Sequence, residues 1–162
     1  MNDIQVYSAA AAIGAVAGLR SMLAPAIVSH CAHSGVLPIQ HRHIAFLNRP
    51  AAAHTLAALA GSELIADKLP FMPNRTQPAS ALARAFSGAL SGAAVCSAKN
   101  CSIAAGALLG ALGAIGTTFG AYELRRRAGK RFGVPDPVIA VLEDGIALVA
   151  GTSAVGRLGP AV

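Results

Sequence analysis

A run of small apolar residues meets a short group of charges in the stretch RPAAAHTLAALAGSELIADKLPFMPNRT, residues 49–76. Glu63, Asp67 and Lys68 lie at the end of the apolar run. Such a run needs apolar surroundings, and ionised groups at its end then need partners within the same surroundings. The stretch therefore raises the question of whether water or lipid surrounds this chain.

The composition of the whole chain favours lipid. Of its 162 residues, 54 % are hydrophobic and 12 % are charged, and the mean hydropathy is +0.57, whereas a soluble domain has about 25 % charged residues. Aromatic residues make up 4 % and Trp is absent, so a soluble core of Ala and Gly would bury too little apolar area to offset the entropy of folding. In lipid, small residues let helices approach closely. We therefore predict an integral membrane protein whose main partner is the lipid bilayer.

The predicted fold class is all-α. A membrane helix needs about 20 apolar residues, and the chain has no alternation of apolar and polar residues that would indicate a barrel. Backbone groups in lipid are then satisfied only within helices. We expect one membrane domain over residues 1–162, a polytopic bundle of about five Ala- and Gly-rich transmembrane helices. The predicted spans cover about residues 4–29, 50–66, 80–98, 102–124 and 137–155.

The net charge of +6 is carried by loops and without a nucleic-acid motif, so no nucleic-acid partner is expected. Because cytoplasmic loops are enriched in Lys and Arg, these residues orient the chain. With five crossings, the side of the N-terminus carries Lys68, Arg75, Arg125, Arg126, Arg127, Lys130 and Arg131. The other side carries Arg42, Arg49, Lys99 and Arg157. We therefore expect a multi-pass membrane protein with a cytoplasmic N-terminus and an external C-terminus.

Charged residues inside the spans indicate a buried polar cluster. A charge near the middle of a bilayer costs at least about 2.5–3.5 kcal/mol, so it should face the bundle and find a partner. Arg20 lies near the middle of the first span, and its guanidinium can bind two carboxylates. The acids predicted to join it are Glu63, Asp67, Glu143 and Asp144. The basic residues predicted at the edge of the cluster are Lys68, Arg75 and Arg84.

Three functions fit such a cluster. The first is a small transporter or channel-like protein for protons, ions or a small solute, with Arg20 as counter-ion of the acids. The second is a structural or assembly protein in which the charges form a clasp that fixes helix register. The third is an enzyme acting on lipid head groups. Enzymatic activity is not favoured, because the chain has no nucleophile–base arrangement and no phosphate-binding loop.

Glycine pairs four residues apart form flat strips on the predicted helices, because such residues share one helix face. The pairs are Gly14 with Gly18, Gly88 with Gly92, Gly106 with Gly110, and Gly116 with Gly120. We expect these strips to pack helix against helix. A homo-oligomer is also expected, since five thin helices barely enclose a pore. Pro25 is expected to kink or loosen the first helix and to free backbone carbonyls near Ser21 and Met22.

The first loop and its borders contain candidate metal ligands. They are His30, Cys31, His33, His41 and His43. Their spacing matches no closed zinc pattern. No metal and no other cofactor is therefore predicted.

The sequence also contains a weak internal similarity. GSELIADKLPFMP resembles GAYELRRRAGKRFGVPDP, which aligns Glu63 with Glu123 and, further along, Arg84 with Glu143. The similarity reflects either a parallel two-helix repeat or low sequence complexity.

Several motifs together resemble a known family. They are GLRS at residues 18–21, DKLP at 67–70 with RT at 75–76, and the acidic pair at 143–144, within the longer stretches GLRSMLAPA, ELIADKLPFMPNRT, SGALSGAA and PDPVIAVLEDGIAL. The chain is similar over about residues 8–157 to small bacterial membrane proteins known as domain of unknown function number 4126. The resemblance implies a helical membrane protein of a bacterial inner membrane and brings no activity with it.

Overall fold

The structure is a computed structural model that describes residues 2–66, 78–132 and 136–159, without the side chains of 66, 128–132 and 136–140. The described residues form helices and no strands, so the all-α class is confirmed. The α-helices are α1 (Asp3–Leu19), α2 (Leu23–His33), α3 (Pro50–Ala66), α4 (Pro78–Ala98), α5 (Ile103–Phe132) and α6 (Asp136–Gly156). A short 3-10 helix, Ala45–Asn48, precedes α3.

The first predicted span, residues 4–29, is two helices rather than one. α1 ends at Leu19, Arg20 has an extended backbone (φ −140°, ψ 111°), and α2 begins at Leu23. Pro25 lies in the first turn of α2, where proline removes no intrahelical hydrogen bond. The predicted kink at Pro25 is therefore wrong, and the break lies five residues earlier.

α1 and α2 fold back on each other as a hairpin. A Cβ atom at Gly151 of α6 would lie 3.5 Å from Val16 of α1 and 2.5 Å from Ile27 of α2. Closer to the start of α6, Asp144 contacts Arg20 at the break. α1 therefore runs towards the break and α2 runs away from it at the same level of the bundle.

The six helices consequently alternate in direction, and both ends of the described chain lie on one surface. Cys101, in the turn between α4 and α5, lies 3.7 Å from Asp3, and Gln5 and Arg157 line a common groove. The prediction that the chain ends on opposite sides is wrong, because the first span contains a hairpin. We name this surface the terminal face; it comprises residues 2–5, 34–49, 99–102 and 157–159. The opposite surface, where α3 and α5 end and α4 and α6 begin, is named the basic face.

Glycines bring α1, α4 and α5 into backbone contact at the centre of the bundle. A Cβ atom at Gly14 would lie 2.1 Å from the Gly110 carbonyl oxygen, and one at Gly92 would lie 2.2 Å from that of Gly106. The predicted strips of Gly14, Gly18, Gly88, Gly92, Gly106 and Gly110 all lie in such contacts. Gly116 and Gly120 do not: both are exposed, and nothing in the described part of the chain lies within 4 Å of a Cβ atom built on either. This pair therefore packs against no other helix within the described part of the chain.

Two described helices are long and apolar enough to cross a membrane, namely α4 and residues Ile103–Arg127 of α5. α1 is apolar but shorter. Length and composition thus give weak support for membrane association. They do not confirm a bundle of about five crossing helices.

Candidate functional site

The break between α1 and α2 lies inside the bundle. Arg20, at its centre, is only 1 % exposed. A helix end leaves backbone carbonyl or N–H groups without intrahelical partners, and buried groups of this kind need partners from elsewhere. The break therefore exposes the carbonyl end of α1 and the N–H end of α2 to the interior of the protein.

Glu63 of α3 binds the N-terminus of α2. Its Oε1 atom accepts hydrogen bonds from the backbone N–H (2.9 Å) and the hydroxyl (2.8 Å) of Ser21. Its Oε2 atom accepts one from the N–H of Met22 at 2.8 Å. A carboxylate at this position also interacts favourably with the positive end of the helix dipole. Glu63 thus serves as the capping residue that α2 lacks in its own sequence.

Arg84 of α4 binds the C-terminus of α1. Its Nη1 atom donates to the carbonyl oxygens of Gly18 (2.7 Å) and Leu19 (3.2 Å). Thr118 of α5 donates to the same Gly18 oxygen at 3.1 Å. Arg84 is 5 % exposed, so its charge lies within the protein, next to the negative end of the α1 dipole.

Arg20 itself pairs with α6. Its Nε atom lies 2.5 Å from Oδ1 of Asp144, and the two side chains are 1 % and 18 % exposed. Ser87 of α4 donates a hydrogen bond to the carbonyl of Ser21. Side chains from α3, α4, α5 and α6 therefore converge on residues 18–22, which comprise the last two residues of α1 and the three residues that join it to α2.

The structure brings together part of the predicted cluster. Arg20 and Asp144 are in contact, and Glu63 and the predicted edge residue Arg84 bind the backbone on either side of Arg20. Asp67, Lys68 and Arg75 lie outside the described residues.

Glu143 is held elsewhere, which corrects its predicted placement beside Arg20. Nε of Arg125 donates to Oε1 of Glu143 at 2.7 Å, and Nη2 of the same arginine contacts Oε2. Consecutive helical residues point about 100° apart, so Glu143 and Asp144 meet different neighbours. The acidic pair therefore joins α6 both to α5 and to the break.

Several residues of the site were not predicted. The backbone N–H groups of Ser21 and Met22 and the hydroxyls of Ser87 and Thr118 carry no charge. Ser21, Met22 and Ser87 lie within the quoted stretches, but the resemblance assigned them no role. The only sequence signal was the presence of isolated hydroxyl residues within helices otherwise rich in Ala and Gly.

The predicted repeat gains no support from its aligned acids. Glu63 lies at the break, whereas Glu123 is bound by Arg126 (3.1 Å) and Arg127 (2.8 Å) of its own helix. Those arginines are 56 % and 75 % exposed, respectively. This is a local surface arrangement.

The candidate metal ligands remain dispersed. Within the described ranges, no three His, Cys, Asp or Glu side chains are placed to bind a metal ion together. The His41 and His43 rings lie 5.3 Å apart, centroid to centroid, on the terminal face.

Comparison with known families identifies a domain of unknown function. The model of the family described as "Domain of unknown function (DUF4126)" matches residues 8–156. The chain belongs to this family. The DUF4126 match includes both sides of the α1–α2 break and confirms the resemblance seen in the motifs. No curated protein and no solved structure matches the chain.

Proposed function

We propose that this DUF4126 protein is a polytopic membrane protein of the transporter or channel type that binds a proton, an ion or a small solute at the α1–α2 break. One observation carries the proposal: a helix is interrupted inside the bundle, and charged side chains from other helices bind both of its freed ends. Discontinuous membrane helices form substrate and ion sites in transporters through the same kind of exposed helix ends.

The surface of α4, α5 and α6 supports membrane placement. Large apolar side chains on these helices face outward, among them Phe86 (73 % exposed), Leu108 (66 %) and Val149 (66 %). Only 22 % of the most apolar stretch of α5, within Ile103–Arg127, is buried within the structure. In water, an apolar surface of this extent would drive association, whereas lipid is a suitable environment for it.

The alternating helices revise the expected orientation. Lys and Arg are concentrated at the basic face and its connections, where seven occur: Lys68, Arg75, Arg125, Arg126, Arg127, Lys130 and Arg131. The terminal face has four: Arg42, Arg49, Lys99 and Arg157. Because cytoplasmic segments are enriched in Lys and Arg, this distribution favours a cytoplasmic basic face and an external terminal face. Both ends of the chain would then lie outside, in what we take to be a bacterial inner membrane.

The carboxylates of the break suit a proton- or ion-coupled step. Glu63 accepts from the N–H groups just before α2, and the neighbouring charges are Arg20 in the break, Arg84 of α4 and Asp144 of α6. An anionic solute that replaces Glu63 at these N–H groups weakens the attachment of α3 to the start of α2. The hairpin can then move relative to α3 while Arg84 still binds the end of α1.

Flux measurements in proteoliposomes test this function. Glu63→Gln and Asp144→Asn each remove a charge at the break, and Glu123→Gln removes one at the surface. We expect proton or solute flux from the wild type and from Glu123→Gln, and loss of flux in the two break variants. Unchanged flux in folded Glu63→Gln and Asp144→Asn proteins would refute the role of the break.

A structural clasp is the second candidate, because each described charge at the break has a partner within the protein. Such networks fix the register of neighbouring helices. The clasp predicts that Glu63→Gln and Asp144→Asn lower the thermal stability of the detergent-solubilised protein, while wild-type liposomes conduct no more than empty ones. These two outcomes together would favour the clasp over transport.

A further inference from the structure

A second polar site lies at the terminal face, in a groove between α1 and α6. The groove encloses about 520 Å³ and is lined on one side by α1 residues including Gln5, Ser8 and Ala12. On the other side it is lined by Ser153, Ala154 and Arg157, among others. Its size is that of a small-molecule site, and it is separate from the α1–α2 break.

The floor of the groove is apolar and shallow-walled because its residues are small. Gln5, Ser8 and Ala12 follow the three- and four-residue spacing of one helix face, as do Ala150 and Ala154 on α6. The lining covers about two turns of each helix, or about 10 Å. Ser8 uses its hydroxyl to donate to the Gln5 carbonyl at 2.9 Å, so it offers little polarity to the floor.

The mouth of the groove is polar and positively charged. Gln5 and Arg157 are both exposed, and they lie near the ends of α1 and α6 at the terminal face. The guanidinium of Arg157 forms no ion pair with any residue in the described ranges. A guanidinium and a side-chain amide thus lie at the mouth of a groove with an apolar floor.

We propose that this groove binds an anionic phospholipid. The phosphate contacts Arg157 and Gln5, and an acyl chain lies along the alanine floor as far as Ala12 and Ala154. A free phosphate would leave the apolar floor empty, and a neutral lipid would leave the charge of Arg157 without a counter-ion. An anionic lipid fills the floor with an acyl chain and pairs its phosphate with Arg157. The proposal rests on the membrane placement of the protein and does not depend on transport at the break.

Native mass spectrometry of the detergent-solubilised full chain tests the proposal. Phosphatidylglycerol, phosphatidylcholine and inorganic phosphate are added separately to wild type, Arg157→Gln and Arg42→Gln. Arg42 is an exposed cation on the same face but outside the groove. We expect wild type and Arg42→Gln to retain phosphatidylglycerol in preference to phosphatidylcholine, and Arg157→Gln to retain about fivefold less.

A second variant tests the floor without changing charge. Ala154→Leu fills the groove and should also reduce phosphatidylglycerol binding, whereas Ala104→Leu, at an exposed position on α5, should not. Equal lipid retention by Arg157→Gln and Arg42→Gln would overturn the proposal. The proposal would also be overturned if the wild type retained the two lipids equally, or if it retained inorganic phosphate but neither lipid. None of these outcomes bears on flux through the break, so the two proposals fail independently.

Discussion

The carboxylate of Glu63 caps a helix that begins 40 residues earlier in the chain, at Leu23. Its Oε2 atom accepts the backbone N–H of Met22 at 2.8 Å, and its other oxygen accepts two hydrogen bonds from Ser21. Capping groups are normally supplied by the residue that precedes a helix. Here the start of α2 depends on α3 being packed beside it.

Glu63→Ala should therefore destabilise the protein more than a change one residue away. The substitution leaves buried N–H groups without an acceptor, and each such group costs about 1–3 kcal/mol. Ser62 is exposed and bonds only within α3, so Ser62→Ala should change stability by less than about 0.5 kcal/mol. Thermal unfolding in detergent measures both, with Glu63→Gln expected between wild type and Glu63→Ala. Equal melting temperatures for Glu63→Ala and Ser62→Ala would contradict the capping role.

Arg84→Met should also destabilise the fold, because the carbonyls of Gly18 and Leu19 lose the donor they share. Thr118 still donates to the Gly18 oxygen, so the expected loss is about 1–3 kcal/mol for the Leu19 carbonyl. Arg84→Lys restores a donor with poorer geometry and should recover part of the loss. Arg42→Met removes an exposed arginine and serves as the control. Chemical denaturation curves measure the free energy of unfolding of these variants. If Arg84→Met unfolds with the same free energy as the wild type, the assignment is disproved.

Two glycines with the same local spacing should respond in opposite ways to alanine. A Cβ atom at Gly110 would lie 2.1 Å from the carbonyl oxygen of Gly88, and backbone atoms cannot move aside cheaply. Gly110→Ala should lower stability by about 1–3 kcal/mol. Gly116 has open space instead, so Gly116→Ala should be neutral or stabilise its helix by up to about 1 kcal/mol. Melting temperatures that fall equally would indicate that Gly116 is covered, for example by a second copy of the chain.

Cysteine labelling of intact cells tests the revised orientation. In a background with the three native cysteines replaced by alanine, a membrane-impermeant maleimide should label Asn2→Cys and Arg42→Cys. It should label Arg127→Cys only after permeabilisation, since Arg127 lies at the basic face. If Asn2→Cys and Arg127→Cys label together, the six-helix alternation does not describe the protein in its membrane.

The reactivity of Cys101 should report on its contact with Asp3. Burial, the negative charge of Asp3 and the hydrogen bond that the thiol donates to it raise the pKa of Cys101 above its usual value. Because the thiolate is the reactive form, Asp3→Asn should lower this pKa and speed alkylation at pH 8. The alkylation rates of Cys101 with and without the Asp3→Asn substitution should converge at a pH above the pKa of Cys101 in either protein, where both thiols are ionised. With Cys31 and Cys96 replaced by alanine, a rate profile against pH provides the measurement, and Asn2→Ala should leave it unchanged.

Local sequence properties predicted the helices but not how they connect. Runs of apolar residues between polar connections were enough to predict helices in the segments that form α3, α4, α5 and α6. The break at Arg20 does not, because it is stabilised by Glu63 and Arg84 from helices that come later in the chain. Missing this break also placed the two ends of the chain on opposite surfaces, whereas both ends of the described chain lie on the terminal face.

Charged residues within apolar segments predicted several side chains of the site but not which of them pair. Arg20 was expected to find an acid, but whether it meets Glu143 or Asp144 depends on how α6 is rotated about its axis. Similarly, the spacing of Gly116 and Gly120 equals that of Gly106 and Gly110, and spacing does not show which face of a helix meets a neighbour.

The position of the break has a consequence for biogenesis. Residues 18–22 receive their partners from Glu63, Arg84 and Asp144, which leave the ribosome later because synthesis proceeds from the N-terminus. Bare backbone groups and an arginine are poorly tolerated in hydrocarbon. In the proposed membrane placement, the nascent hairpin would therefore remain hydrated or in contact with the insertion machinery until the final helix has emerged, so that the earliest segment to be made would be among the last to mature.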